Sequence, residues 1–138
     1  MDYVIAIPSY KRHKILLKRS LKLLEKHKIR KSKIFIFVAN NDEKKIYEEY
    51  MPDYKNIVTG KLGLKNQRTF IRNYFPANQK IVQMDDDVVQ LYQLHINPII
   101  SDKYKKKLMK PIKNLNQFII DAFQHCLEKK LFMGDLSN

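Results

Sequence analysis

At 138 residues the chain is one domain or part of one, and with 44% hydrophobic residues it can bury a core. Its 27 Lys and Arg against 14 Asp and Glu leave a charge of +13, which points to an anionic partner such as nucleic acid, a membrane surface or a phosphorylated small molecule. A single cysteine, Cys126, excludes an internal disulfide and fits a reducing compartment. No apolar run approaches the ~20 residues of a membrane span, and the N-terminus lacks the basic segment and cleavage site of a signal peptide.

The first element, "YVIAI" at 3–7, is an apolar β-branched run stopped by Pro8 and Ser9, the pattern of a buried parallel strand. A helix is predicted from about Lys14 to Lys28. Its stripe is Leu17, Leu21 and Leu24, widened by Leu16 and Leu23, with lysines opposite. "KIFIFVAN" at 33–40 is a second strand, followed by a short charged helix from about Glu43 to Tyr50. "NIVTG" at 56–60 is a third strand, and "LKNQRTFIRNYF" at 64–75 a helix closed by Pro76. "KIVQM" at 80–84 is a fourth strand, and Asp85, Asp86 and Asp87 follow at once. The basic stretch 101–113 reads as an exposed loop. The last helix, expected within 115–130, carries Leu115, Phe118, Ile119, Ala122, Phe123, Cys126 and Leu127 on one stripe. "LFMGDLSN" contributes no recognisable element, and His13 and His27 are expected to face solvent.

This alternation of strand and helix with short connections implies a single α/β domain over 1–138, a Rossmann-like, open, mainly parallel sheet flanked by helices. Ligands of such sheets bind beyond the carboxyl ends of the strands. Those ends are Pro8, Ser9 and Tyr10; Asn40, Asn41 and Asp42; Thr59 and Gly60; and Asp85, Asp86 and Asp87. Arg68 shares a helical stripe with Leu64 and Ile71, and an inward-facing arginine needs an anionic partner, either the aspartates or a phosphate. Side chains alternate along a strand, so Asp85 and Asp87 aim at one point while Asp86 turns away. Two such carboxylates suit a hard divalent cation, Mn²⁺ or Mg²⁺, shared with substrate phosphates. The histidines lack zinc-ligand spacing, and three glycines do not build a Gly-rich phosphate loop.

Four pieces in order, "IAIPSYKR" at 5–12, "IFIFVANNDE" at 34–43, "YKNIVTGKLGLKNQRTFIRNYFP" at 54–76 and "KIVQMDDDV" at 80–88, resemble the GT-A type glycosyltransferases. Within that group the set is similar to the TET-associated glycosyltransferases of large DNA viruses and phages. The resemblance covers roughly 3–90, so the chain reads as the donor-binding half of that fold, apparently truncated. It implies a nucleotide-diphospho-sugar donor, most simply a UDP-sugar, and an acceptor such as a modified DNA base or a glycan. Pro8, Ser9, Tyr10 and Arg12 would contact the nucleotide, and Asn40 and Asp42 the base or ribose. Arg68 would serve the diphosphate or anchor the acidic motif. Asp85 would contact ribose or metal-bound water beside Asp86, and Asp87 would ligate the metal. Asp135 is a candidate base, and the setting is cytoplasmic, in a host cell or virion if viral. A polyanionic acceptor, DNA among them, would be guided by Lys103–Lys113. Two other readings stand beside this one: a phosphatase of the haloacid-dehalogenase type with Asp85 as nucleophile, and a non-enzymatic basic nucleic-acid-binding domain.

Overall fold

Residues 2–94, 109–125 and 130–134 are described by a computed structural model of the chain. The four predicted strands form as β1 (Tyr3–Pro8), β2 (Ile34–Val38), β3 (Ile57–Thr59) and β4 (Lys80–Met84). A further strand, Lys130–Met133, joins them; it is β7 in chain order, after the hairpin strands β5 (Tyr92–Leu94) and β6 (Met109–Pro111). The main sheet runs β3-β2-β1-β4-β7, and every pairing in it is parallel. Its crossovers are the helices α1 (His13–Lys18), α2 (Ser20–Lys26), α3 (Asn41–Tyr50), α4 (Leu64–Tyr74) and α5 (Leu115–Gln124). The predicted fold class is the observed one.

Both faces of the sheet are covered, which is why its strands read as unbroken apolar runs instead of alternating. Ile5, Ile7, Ile36, Val38 and Val82 pack on one face with Leu16, Leu21, Leu24, Tyr47, Leu115 and Ile119. Ala6, Phe37 and Ile81 face the other way onto Ile71 of α4. There Phe37 meets Phe70, Tyr74 and Phe75 edge-on at centroid distances of 5.3–6.1 Å. Each fully buried Ile, Leu or Phe side chain contributes about 1.5–3 kcal/mol by leaving water.

The departures from expectation have local causes. The helix predicted over about 14–28 breaks at Arg19, whose backbone leaves the helical region at φ −112° and ψ −87°. The helix expected within 115–130 ends at Gln124, and its residues Leu115, Ile119 and Phe123 are buried. Lys130–Met133 then pairs with Ile81–Met84 as an edge strand. A four-residue segment with three apolar residues, KLFM, carries too little periodicity to separate strand from helix, and the open side of β4 supplied backbone groups that needed partners. Within the expected loop 101–113, Met109–Pro111 forms an antiparallel pair with Tyr92–Leu94. Residues 101–108, including the lysines at 105–107, lie outside the described residues, as do Cys126 and Asp135. His13 is half-buried rather than solvent-facing, with its ring edge-on to Tyr47 and Tyr50 at 5.7 and 4.8 Å. His27 is also half-buried, and burial, reinforced by Lys26, lowers its pKa. No helix of the described residues is long and apolar enough to cross a membrane.

Candidate active site

Parallel strands end together, and the ends of β1, β2, β4 and β7 open on one cleft of about 840 Å³. Pro8, Ser9, Tyr10 and Arg12 line one wall, Lys61–Leu64 with Gln67 and Arg68 another, and Phe132 with Gly134 a third; Asp85, Asp86 and Asp87 line the cleft between them. This is the carboxyl edge predicted from strand order, and its size is that of an ordinary small-molecule site.

The acidic turn is tied down from below by Ser20. Its buried hydroxyl accepts the Val88 N–H at 2.9 Å and donates to the Asp85 carbonyl, so one side chain satisfies a backbone group on either side of the turn. Asp86 is the buried member of the triplet. Ser9 Oγ donates to it at 2.9 Å, and the Tyr47 hydroxyl lies 2.7 Å from Ser9 Oγ. Because the serine proton goes to Asp86, Tyr47 donates to Ser9, and the phenol oxygen in turn accepts the Arg12 N–H at 3.1 Å. Burial raises the Tyr47 pKa and keeps that donor protonated.

Two guanidinium groups face the three carboxylates. Arg12 places Nε 3.4 Å from Asp86 Oδ2 and Nη2 3.2 Å from Asp87 Oδ2. Arg68 places Nη2 3.5 Å from Asp85 Oδ1 and lays its guanidinium 4.9 Å from the centre of the Phe132 ring. Burial raises the pKa of Asp85; Arg68 opposes the rise and the neighbouring Asp87 charge adds to it. Burial also raises Asp86, against the Ser9 hydrogen bond and the Arg12 charge. The alternation argument therefore holds only in part. The strand stops at Met84, and although Asp86 alone is buried, it shares Arg12 with Asp87.

A raised pKa means that the fold disfavours the Asp86 anion, so a neutral residue of the same shape should be tolerated. Asp86→Asn, which can still accept from Ser9, is expected within about 1 kcal/mol of the parent. Asp86→Ala leaves the Ser9 hydroxyl without an acceptor and should cost about 1–3 kcal/mol. Urea unfolding midpoints at constant slope separate the two variants, and equal losses would contradict this ordering.

The family model of the TET-associated glycosyltransferases matches residues 3–125. The chain belongs to that family. No curated protein and no solved structure matches it significantly. The matched range takes in β1 through α5, and thus every cleft residue of this TET-associated glycosyltransferase except Phe132 and Gly134.

Of the residues singled out from sequence, Pro8, Ser9, Tyr10, Arg12, Arg68, Asp85, Asp86 and Asp87 come together in the cleft. Asn40 instead caps α3, its side chain accepting the Glu43 N–H at 2.9 Å, and Asp42 lies exposed in the first turn of that helix; neither lines the cleft. Leu64, expected to face inward with Ile71, is 55% exposed at the cleft, and the buried line of α4 runs through Gln67 and Ile71. Arg68 is one position off that line, which puts its head in the cleft instead of the core.

Three polar side chains escaped the sequence reading: Ser20, Gln67 and Glu43. Gln67 donates to the Val38 carbonyl at 3.0 Å and accepts the Lys61 N–H at 2.8 Å, holding the cleft wall to the end of β2. Glu43 accepts the Lys11 N–H at 2.6 Å and fixes a loop in which Lys11 adopts φ +53°. Each sits four residues from a buried core position, Ser20 from Leu16 and Leu24, Gln67 from Ile71, and Glu43 from Tyr47. A polar residue in step with an apolar stripe was the available signal.

Proposed function

We propose that the cleft binds a nucleotide-diphospho-sugar, most simply a UDP-sugar, and transfers its sugar to an acceptor such as a modified DNA base or a glycan, with Mn²⁺ or Mg²⁺ bound beside the donor. The observation that carries this reading is Arg68. It lines the cleft, and its buried Nε has no hydrogen-bond partner among the described residues, while Nη2 reaches only to 3.5 Å from Asp85. A buried donor without a partner is costly, and a diphosphate oxygen is the acceptor that the geometry invites.

The donor set suits a hard divalent cation. Asp85 and Asp87 present carboxylates to an open cleft, and each feels the other's charge or a guanidinium's. Among the described residues no group of three or more His, Cys, Asp or Glu is placed to hold a metal, so further ligands would be donor phosphates and water. When bound, such an ion would offset charge on the departing diphosphate.

The remaining work falls to the chain itself. Arg12 and Arg68 flank the acidic turn and would bind the phosphate oxygens, stabilising negative charge as the bond from the anomeric carbon to the β-phosphate oxygen breaks. The acceptor hydroxyl forms the new bond to that carbon and passes its proton to a general base, for which Asp135 is the candidate. Phe132 and Leu62, each more than half exposed at the cleft, supply apolar surface for a base or sugar face and exclude water there.

A thermal-shift series with UDP, GDP, ADP and CDP, each with and without Mn²⁺, tests this. One nucleotide at 100 times its Kd should stabilise the protein by about 2.7 kcal/mol, but only with the metal. No response to any nucleotide would sink the reading.

A further inference from the structure

Arg12 is a long side chain on a loop, 42% exposed, and its ion pairs with Asp86 and Asp87 at 3.4 and 3.2 Å are of a kind that hold weakly where water can reach them. Such a side chain keeps one direction only if its backbone is held as well. The groups that hold it come from α3, and neither lines the cleft.

Glu43 and Tyr47 stand four residues apart on α3 and are the two buried residues of that helix. Glu43 accepts the Lys11 N–H at 2.6 Å, and Tyr47 accepts the next N–H, that of Arg12, at 3.1 Å. One helix face thus takes two successive backbone donors of the loop between β1 and α1. The clamp falls where that loop is strained. Lys11 adopts φ +53°, a left-handed conformation that a lysine keeps only when its surroundings enforce it.

The Tyr47 hydroxyl also closes a circuit. It accepts from the Arg12 backbone and donates to Ser9 Oγ at 2.7 Å. Ser9 donates to Asp86 Oδ2 at 2.9 Å, and the same oxygen faces Arg12 Nε at 3.4 Å. Arg12 is therefore gripped at its backbone and at its head by the two ends of one chain of hydrogen bonds. The Tyr47 ring is fully buried in the apolar core, where phenylalanine would pack equally well. Its hydroxyl is what packing does not require, and among the described residues both hydrogen bonds of that hydroxyl go to the Arg12 loop.

We propose that Tyr47 is a positioning residue that aims Arg12: through this circuit it fixes the guanidinium beside Asp86 and Asp87, set in advance to receive a phosphate oxygen of the donor. The phosphate contact rests on the donor reading above, whereas the hold on Arg12 does not. Asp86, the buried aspartate, then serves to anchor the arginine head.

Nitrogen-15 NMR of the full chain tests the hold. Tyr47→Phe should speed exchange of the Arg12 amide with heavy water by at least about tenfold, and should shift or broaden the Arg12 Nε–H signal. Tyr3→Phe is the control. It removes another buried tyrosine hydroxyl, one that donates to Asn116 at 2.6 Å from the far end of β1, and should leave both Arg12 signals in place. Unchanged Arg12 signals in Tyr47→Phe, or equal changes in the two variants, would overturn the proposal. Affinity for the nucleoside diphosphate selected by thermal shift, with Mn²⁺, tests the consequence. Tyr47→Phe should weaken it by at least about tenfold in the parent but by less than about twofold in an Arg12→Gln background, because a residue that acts through Arg12 then has nothing to aim. Equal losses in both backgrounds, or altered NMR signals with unchanged affinity, would reduce Tyr47 to a structural tyrosine. A parent protein that binds no nucleotide sinks the donor reading instead, and the NMR comparison still decides whether Tyr47 holds Arg12.

Discussion

Asp87→Asn is expected to abolish metal-dependent stabilisation by a nucleoside diphosphate while leaving the unliganded protein nearly unchanged. The Asp87 carboxylate contacts Arg12 at 3.2 Å in a partly exposed pair, and pairs of that kind contribute about 0–1 kcal/mol, so the unliganded Tm should move by no more than a few degrees. The liganded protein should behave differently. A nucleotide at 100 times its Kd contributes about 2.7 kcal/mol, roughly 10 °C for a domain of this size, and that increment should vanish. Asp85→Asn should act in the same direction, with an added effect of releasing Arg68. If Asp87→Asn keeps the full metal-dependent shift, the acidic turn is not the cation site and the donor reading loses its centre.

The second large effect is expected away from the cleft's own lining. Ser20→Ala removes the hydroxyl that accepts the Val88 N–H and donates to the Asp85 carbonyl. Both backbone groups flank the acidic turn, and Ser20 is fully buried, so water cannot readily replace it. An unsatisfied buried N–H costs about 1–3 kcal/mol, and the urea midpoint should fall accordingly. The turn should also lose its fixed position beneath Arg12 and Arg68, weakening nucleotide binding by about tenfold or more, with Ser20→Thr restoring part of both. Lost stability with undiminished nucleotide affinity would show that Ser20 supports the fold alone and leaves the turn's geometry to other groups.

Such dependencies explain why the fold was more legible than the site. The four apolar β-branched runs at 3–7, 33–40, 56–60 and 80–84 announced buried parallel strands, because a strand covered on both faces has no polar side to show. The carboxyl-edge rule then brought Pro8, Ser9, Tyr10 and the three aspartates to one place before any contact was known, the family resemblance added Arg12, and the cleft contains all of them. Asn40 obeyed the same rule and yet serves as the cap of α3, since the residue that ends a strand is often also the one that begins a helix.

What escaped the sequence depends on partners distant in the chain. Phe132 reaches the cleft because Lys130–Met133 pairs with β4, a pairing that no local pattern in four residues could announce. Asp86 differs from its neighbours through Ser9, 77 positions away, and Arg12 links it to Asp87.

The sequence by itself determined the order of strands and helices, the apolar faces they bury, and the edge on which acidic and basic groups meet, because periodicity and strand direction are local properties of the chain. Only the tertiary structure decided which arginine faces which aspartate, which serine holds the turn, and that a fifth strand completes the sheet. Those outcomes turn on distances between side chains dozens of residues apart, and on backbone groups that had to find partners once the core had closed.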